Sequence, residues 1–143
     1  MKHQQGFSLI EVLIALVVLA FGLMGVAAMQ MKALQSATEG YQRSIAVVAA
    51  VDAQERVWGL LEGNGNCEDI DASAVSALEG DWIKHWSEDT SVNPLRGANW
   101  GNSGVSTSEG CEFTIVIALN SVSSNSEEEY RYRFNLPNTV DAP

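Results

Sequence analysis

The 143 residues carry 18 acidic and eight basic side chains, a formal charge of −10; from Glu62 onward 14 acids face only four bases, Lys84, Arg96, Arg131 and Arg133. A domain of that sign repels nucleic acid and anionic lipid, and nothing in it resembles the basic, aromatic-lined surface that single strands need, so no nucleic-acid partner is expected. The length leaves room for one small domain beside an N-terminal helix. That helix is the first predicted element. Behind a polar, basic leader (Met1, Lys2, His3, Gln4, Gln5) the chain turns apolar, and the eighteen residues from Val12 to Met29 hold no charged or strongly polar side chain. As a helix, Phe7 to Met29 would span roughly 35 Å, enough to cross a hydrocarbon core of ~30 Å. One acid, Glu11, stands at its entrance. An ionised carboxylate in such a segment costs on the order of 3 kcal/mol at mid-membrane, less near the surface, so its default reading is functional.

Gly6-Phe7-Ser8-Leu9-Ile10-Glu11 resembles the class III signal of type IV pilins and pseudopilins. The motif is specific because it joins a short basic leader, Gly-Phe, a Glu four residues on and an uninterrupted apolar run. The continuation from Ala20 through Phe21, Gly22, Gly25 and Met29 to Gln30 is most similar to PilV-type minor pilins, and the likeness extends more loosely to about Arg56. The resemblance implies that a prepilin peptidase cuts after Gly6 and methylates the new N-terminal Phe7, which makes Glu11 fifth in the mature chain. It further implies that Glu11 neutralises the N-terminal amine of a neighbouring subunit, which is how a buried charge is tolerated.

The function so implied is that of a minor type IV pilin, a non-catalytic subunit that helps initiate or modify pilus assembly. Its partners would be the major and other minor pilins, met through the N-terminal helix, and the prepilin peptidase. Before assembly it would be a single-pass protein of the inner membrane, with the leader in the cytoplasm, as Lys2 suggests, and the head in the periplasm. After assembly it would lie in the pilus at the cell surface. The alternatives are a minor pseudopilin of a type II secretion system, which shares the signal, a pilus-tip adhesin, and a secreted binding domain. The last would need a signal peptide cut near Val26-Ala27-Ala28, but the apolar run exceeds the usual length of about 7–15 residues and Glu11 fits that reading badly.

The organisation expected is a leader over 1–6, a membrane-spanning or filament-core helix over 7–29, an amphipathic half of the same helix over 30–62, and a periplasmic head over 63–143. Gln30 to Leu61 has no Pro and is rich in helix formers. Met31, Leu34, Thr38, Tyr41, Ile45 and Val48 step by three and four, which predicts the stripe that faces the head. Asp52 and Arg56 stand one turn apart. Gly63-Asn64-Gly65-Asn66 is the stop signal. Gly22 and Gly25 within the apolar half read as close packing sites between stems in preference to points of local unwinding.

Beyond the stop, Ala72–Leu78 and Trp82–Trp86 read as short helices and Asn93–Gly110 as Gly/Asn/Ser-rich loop. Phe113, Ile115, Ile117 and Leu119 alternate with Thr114, Val116 and Ala118, and Tyr130, Tyr132, Phe134 and Leu136 alternate with Arg131, Arg133 and Asn135. Two period-two runs around the turn-rich Asn120–Ser126 predict an antiparallel C-terminal hairpin. The fold class expected is α+β and pilin-like, a long N-terminal helix packed on a small antiparallel β-sheet head. A head that small needs a staple, and in an oxidising periplasm Cys67 and Cys111 would supply it as a disulfide. Closing a loop of that length is worth at most ~4 kcal/mol in the chain-entropy model.

Little else in the chain points to chemistry. His85 is the one histidine outside the leader, and no Gly-x-Ser-x-Gly is present, so no nucleophilic site has sequence support and no enzyme is expected. Asp69-Ile70-Asp71-Ala72-Ser73 resembles the start of a calcium loop, but Ala74 stands where that loop needs Gly and Gly80 where it needs Glu; no metal and no cofactor are expected. Trp82, Trp86 and Trp100 read as core filling rather than a sugar-binding surface, and Glu127-Glu128-Glu129 as a solvated run.

Overall fold

A computed structural model describes residues 8–95, 97–108, 111–120 and 127–138. The leader over 1–6 and Phe7 lie outside the described residues. Helix α1 runs over Leu9–Asn64, a single 3-10 turn follows at Cys67–Asp69, and helix α2 covers Ala72–Trp86. Three strands complete the chain: β1 (Asn99–Thr107), β2 (Glu112–Asn120) and β3 (Glu127–Asn135). This is the α+β class read from the sequence, a long N-terminal helix with a small antiparallel sheet. The chain forms two units, 1–37 and 38–143.

In the first unit α1 passes through Gly22 and Gly25 without a break. Its large apolar side chains are exposed on every face, from Leu9 and Ile10 through Phe21 and Met24 to Met31 and Leu34. The helix needs no burial within this chain to satisfy its backbone, because each carbonyl accepts from one turn ahead. It is the one described helix long and apolar enough to cross a membrane.

In the second unit the helix buries an alanine face. Ala46, Ala49, Ala50, Ala53, Val57 and Leu61 are the buried residues of α1, spaced by three and four as one stripe demands. Short side chains there let Phe113, Ile115, Ile117 and Leu119 of β2, Val105 of β1 and Trp82 of α2 fill the same core. The stripe predicted from Met31 to Val48 is therefore misplaced: Ile45 packs against the core, while Tyr41 and Val48 are 57% and 55% exposed. Both Val and Ala are apolar over 46–51, and hydropathy alone does not reveal that close approach selects the smaller. Gly65, in the left-handed region at φ 77°, ends the helix with its N–H on the Leu61 carbonyl at 2.8 Å, the αL stop that glycine allows.

The sheet has the order β1-β2-β3, antiparallel throughout. β2 and β3 pair continuously from Glu112 opposite Asn135 to Asn120 opposite Glu127. β1 overturns the expectation of a loop over 93–110. Its register with β2 slips between Asn99 and Gly104. There the buried Ser103 hydroxyl donates to the Asn99 carbonyl at 2.8 Å and accepts from the Ala118 N–H at 3.0 Å, filling the gap in the ladder. On its outer side β1 is covered by α2, where the Glu79 carboxylate accepts the Val105 N–H at 2.8 Å. Helix α2 is continuous across Glu79–Asp81 instead of two short pieces, because Asp71 caps its start and Trp82 anchors its middle. Asn120–Ser126, read as the hairpin turn, lies outside the described residues after Asn120.

Candidate functional site

Glu11 sits in the first turn of α1, exposed, with its backbone N–H on the Ser8 carbonyl at 2.9 Å. Its surroundings are Val12, Ala15, Leu16 and Leu19, all apolar. The next base along the helix is Lys32, about 30 Å away at 1.5 Å per residue. The acid therefore has no cation in reach within its own helix. What this geometry can do is accept a positive group brought by something else. Gly6 and Phe7, the expected cleavage and methylation residues, lie outside the described residues.

The model of the prokaryotic N-terminal methylation motif matches residues 1–27. The match supports a protein of the type IV pilin family. Such a motif indicates a type IV pilin or pseudopilin, a class that is structural in kind, processed by the prepilin peptidase and assembled with other pilins. It also accords with a helix able to anchor the chain in a membrane before assembly. Neither the curated proteins nor the solved structures yield a match to the chain.

The head places the remaining sequence candidates. Cys67 and Cys111 are joined by a disulfide, with Cα atoms 5.6 Å apart across 44 residues. The bond ties the end of α1 to the start of β2, and the Cys111 carbonyl accepts the Leu136 N–H just past β3. Cys111 has φ 66°, left-handed for a residue other than glycine. The clasp thus gathers three segments at one end of the sheet.

Trp82 lies in the core, and Trp86 and Trp100 are half-buried against it. Trp82 is fully buried, donates its indole N–H to the Ala49 carbonyl at 2.9 Å and meets Trp100 edge-on at 5.5 Å. Trp86 donates to Asp52 at 2.9 Å, and the same carboxylate oxygen accepts from Arg56 at 3.1 Å. The sequence foresaw the Asp52–Arg56 pair but not the indole that makes it part of the core wall.

Asp71, weighed as the third position of a calcium loop, is the N-cap of α2. It accepts from the Ser73 N–H at 3.2 Å and from the Ser73 hydroxyl at 2.9 Å. These bonds, the backbone one first, hold its carboxyl below the usual carboxylate value. Sequence reading missed the pair between Arg43 on α1 and Glu128 on β3, which meet at 2.5 Å. The hydrogen bond to Glu128, then its charge, hold the Arg43 guanidinium above its ordinary value. No local signal could have found it, since the partners are 85 residues apart. Glu128 is thus engaged where a solvated run was expected.

Proposed function

We propose that this chain is a minor type IV pilin of the PilV type, a non-catalytic subunit that helps initiate or modify pilus assembly. The observation that carries the reading is the lone Glu11 at the start of an apolar helix, directly behind Gly6-Phe7 and inside the matched methylation motif. In this reading 1–6 is the leader, 7–29 the spanning and later filament-core segment, 30–62 the amphipathic half of the helix, and 63–143 the periplasmic head. Cleavage after Gly6 frees an amine on Phe7, which the same peptidase methylates. The stem then leaves lipid for a bundle of other pilin stems, where Glu11 of one subunit faces the Phe7 amine of its neighbour. Both charges are costly alone in an apolar setting and tolerable together. The Cys67–Cys111 bond suits a head that has been exported.

The test is Glu11→Val. The variant is exported, cleaved and folded like the parent, because Glu11 belongs to the first unit and every buried core residue to the second, yet it joins sheared fibres or the minor-pilin complex poorly. Normal incorporation at parental expression level would show that the acid does not supply this contact.

A further inference from the structure

We propose that two copies of this chain pair through β3, edge to edge and antiparallel, about a twofold axis at Tyr130. β3 is the open edge of the sheet. β2 occupies its inner side and α2 covers the far edge at β1, while among the described residues no further backbone partner reaches β3. An unpaired strand of nine residues is a template for another strand unless its charges forbid it. Here the order of the charges selects one partner.

Tyr130, Tyr132 and Phe134 pack against the core, so the outward-facing positions between them read Glu129, Arg131 and Arg133, an acid first and bases after it. In an antiparallel pair centred on Tyr130, Glu129 of each copy stands opposite Arg131 of the other, and position 127 opposite Arg133. Both Glu129–Arg131 pairs are then of opposite sign. Directly opposed charges of this kind favour a pairing, and like charges disfavour it. On the inner face Tyr130 meets its own counterpart and Glu128 meets Tyr132, so no like charges oppose there either. Shifting the centre by one residue in either direction sets Glu129 against Glu129 or Arg131 against Arg131. Of these three registers only the one centred on Tyr130 is free of like-charge contacts.

Glu129 and Arg131 are already side by side, exposed and bonded to each other, so pairing brings two such couples together as a four-charge cluster. Arg133 has no ion pair among the described residues. An isologous contact of this kind is self-complementary by construction. Because the twofold stands normal to the sheet, it points the two copies' helical segments over 38–64 in opposite directions. The pairing therefore suits copies whose heads meet from opposite sides.

The contact is independent of the assembly role above, since it is read on the purified chain with no other pilin present. The experiment is sedimentation velocity on the full chain in detergent micelles, for the parent, Glu129→Arg, Arg131→Glu and an equimolar mixture of the two variants. The parent should self-associate, each variant about tenfold more weakly, and the mixture should regain parental association. In the mixture the charges match only across the interface, since within each variant residues 129 and 131 still repel. A role confined to the internal Glu129–Arg131 pair cannot give that rescue. If either variant melts lower than the parent, Glu129→Gln and Arg131→Gln take their place with a smaller loss, and their mixture, which restores one of the two ion pairs, should associate more tightly than either variant and less tightly than the parent. A monomeric parent, association insensitive to the substitutions, or a mixture no better than its components would each overturn the proposal; insensitivity would assign the association to the apolar helices.

Discussion

Residues 9–37 and residues 38–138 are both apolar in large part, yet they treat that apolarity in opposite ways. The first region exposes every large apolar side chain it has, including Leu9 at 83%. Over 46–51 the second buries alanines and leaves valines outside: Ala49 and Ala50 are fully buried while Val47, Val48 and Val51 are exposed. The lesson is that burial within the chain follows size and fit wherever a sheet must approach a helix. A surface apolar on all sides, with one acid, has to find its complement outside the chain.

The contrast is broken most severely from inside the head. Trp82→Ala removes a fully buried indole and its bond to the Ala49 carbonyl, at a cost of ~3–5 kcal/mol. Against the few kcal/mol available to so small a head, most molecules should be unfolded, read as loss of the near-ultraviolet dichroism. Opening the Cys67–Cys111 bond by reductant, or by Cys67→Ser with Cys111→Ser, should cost about 2–4 kcal/mol. An unchanged melting temperature with and without reductant would make the clasp irrelevant to stability. Ala50→Leu overfills the helix–sheet contact and should cost about 1–3 kcal/mol. Val48→Leu, on the exposed side of the same helix, should stay within ~0.5 kcal/mol. Equal effects at the two positions would erase the distinction between the faces.

Among the expected losses the smallest belongs to Asp71. Its folded carboxyl lies below the unfolded value, so its contribution is present above about pH 4 and is lost as pH falls through the folded value. Asp71→Ala should lower the melting temperature by a few degrees at neutral pH. The gap to the parent should close in acid, and a gap that widens there would reverse the sign of the linkage.

Much of this is legible in the sequence alone. Glu11 is plain because a single charge in an apolar run has no competing signal. The strict alternation over Phe113–Leu119 and Tyr130–Phe134 announces β2 and β3, which pair along their full length. β1 was hidden because Asn99, Gly101, Asn102 and Gly104 read as loop, and its ladder is completed by a serine hydroxyl rather than by regular pairing. The buried stripe of α1 was misplaced because alanine and valine differ little in hydropathy but greatly in how closely a sheet can approach. The Arg43–Glu128 pair exists only once the fold has brought distant segments together, and no spacing in the sequence encodes it.

Assembly as proposed requires that the chain be matured at the motif matched over residues 1–27. The most direct measurement is the intact mass and N-terminal residue of the protein from a host with an active prepilin peptidase. The account predicts a chain that begins with N-methylated Phe7, and a Gly6→Glu variant that keeps its leader. A parent chain that retains Met1, or one that begins at Met29, would contradict it.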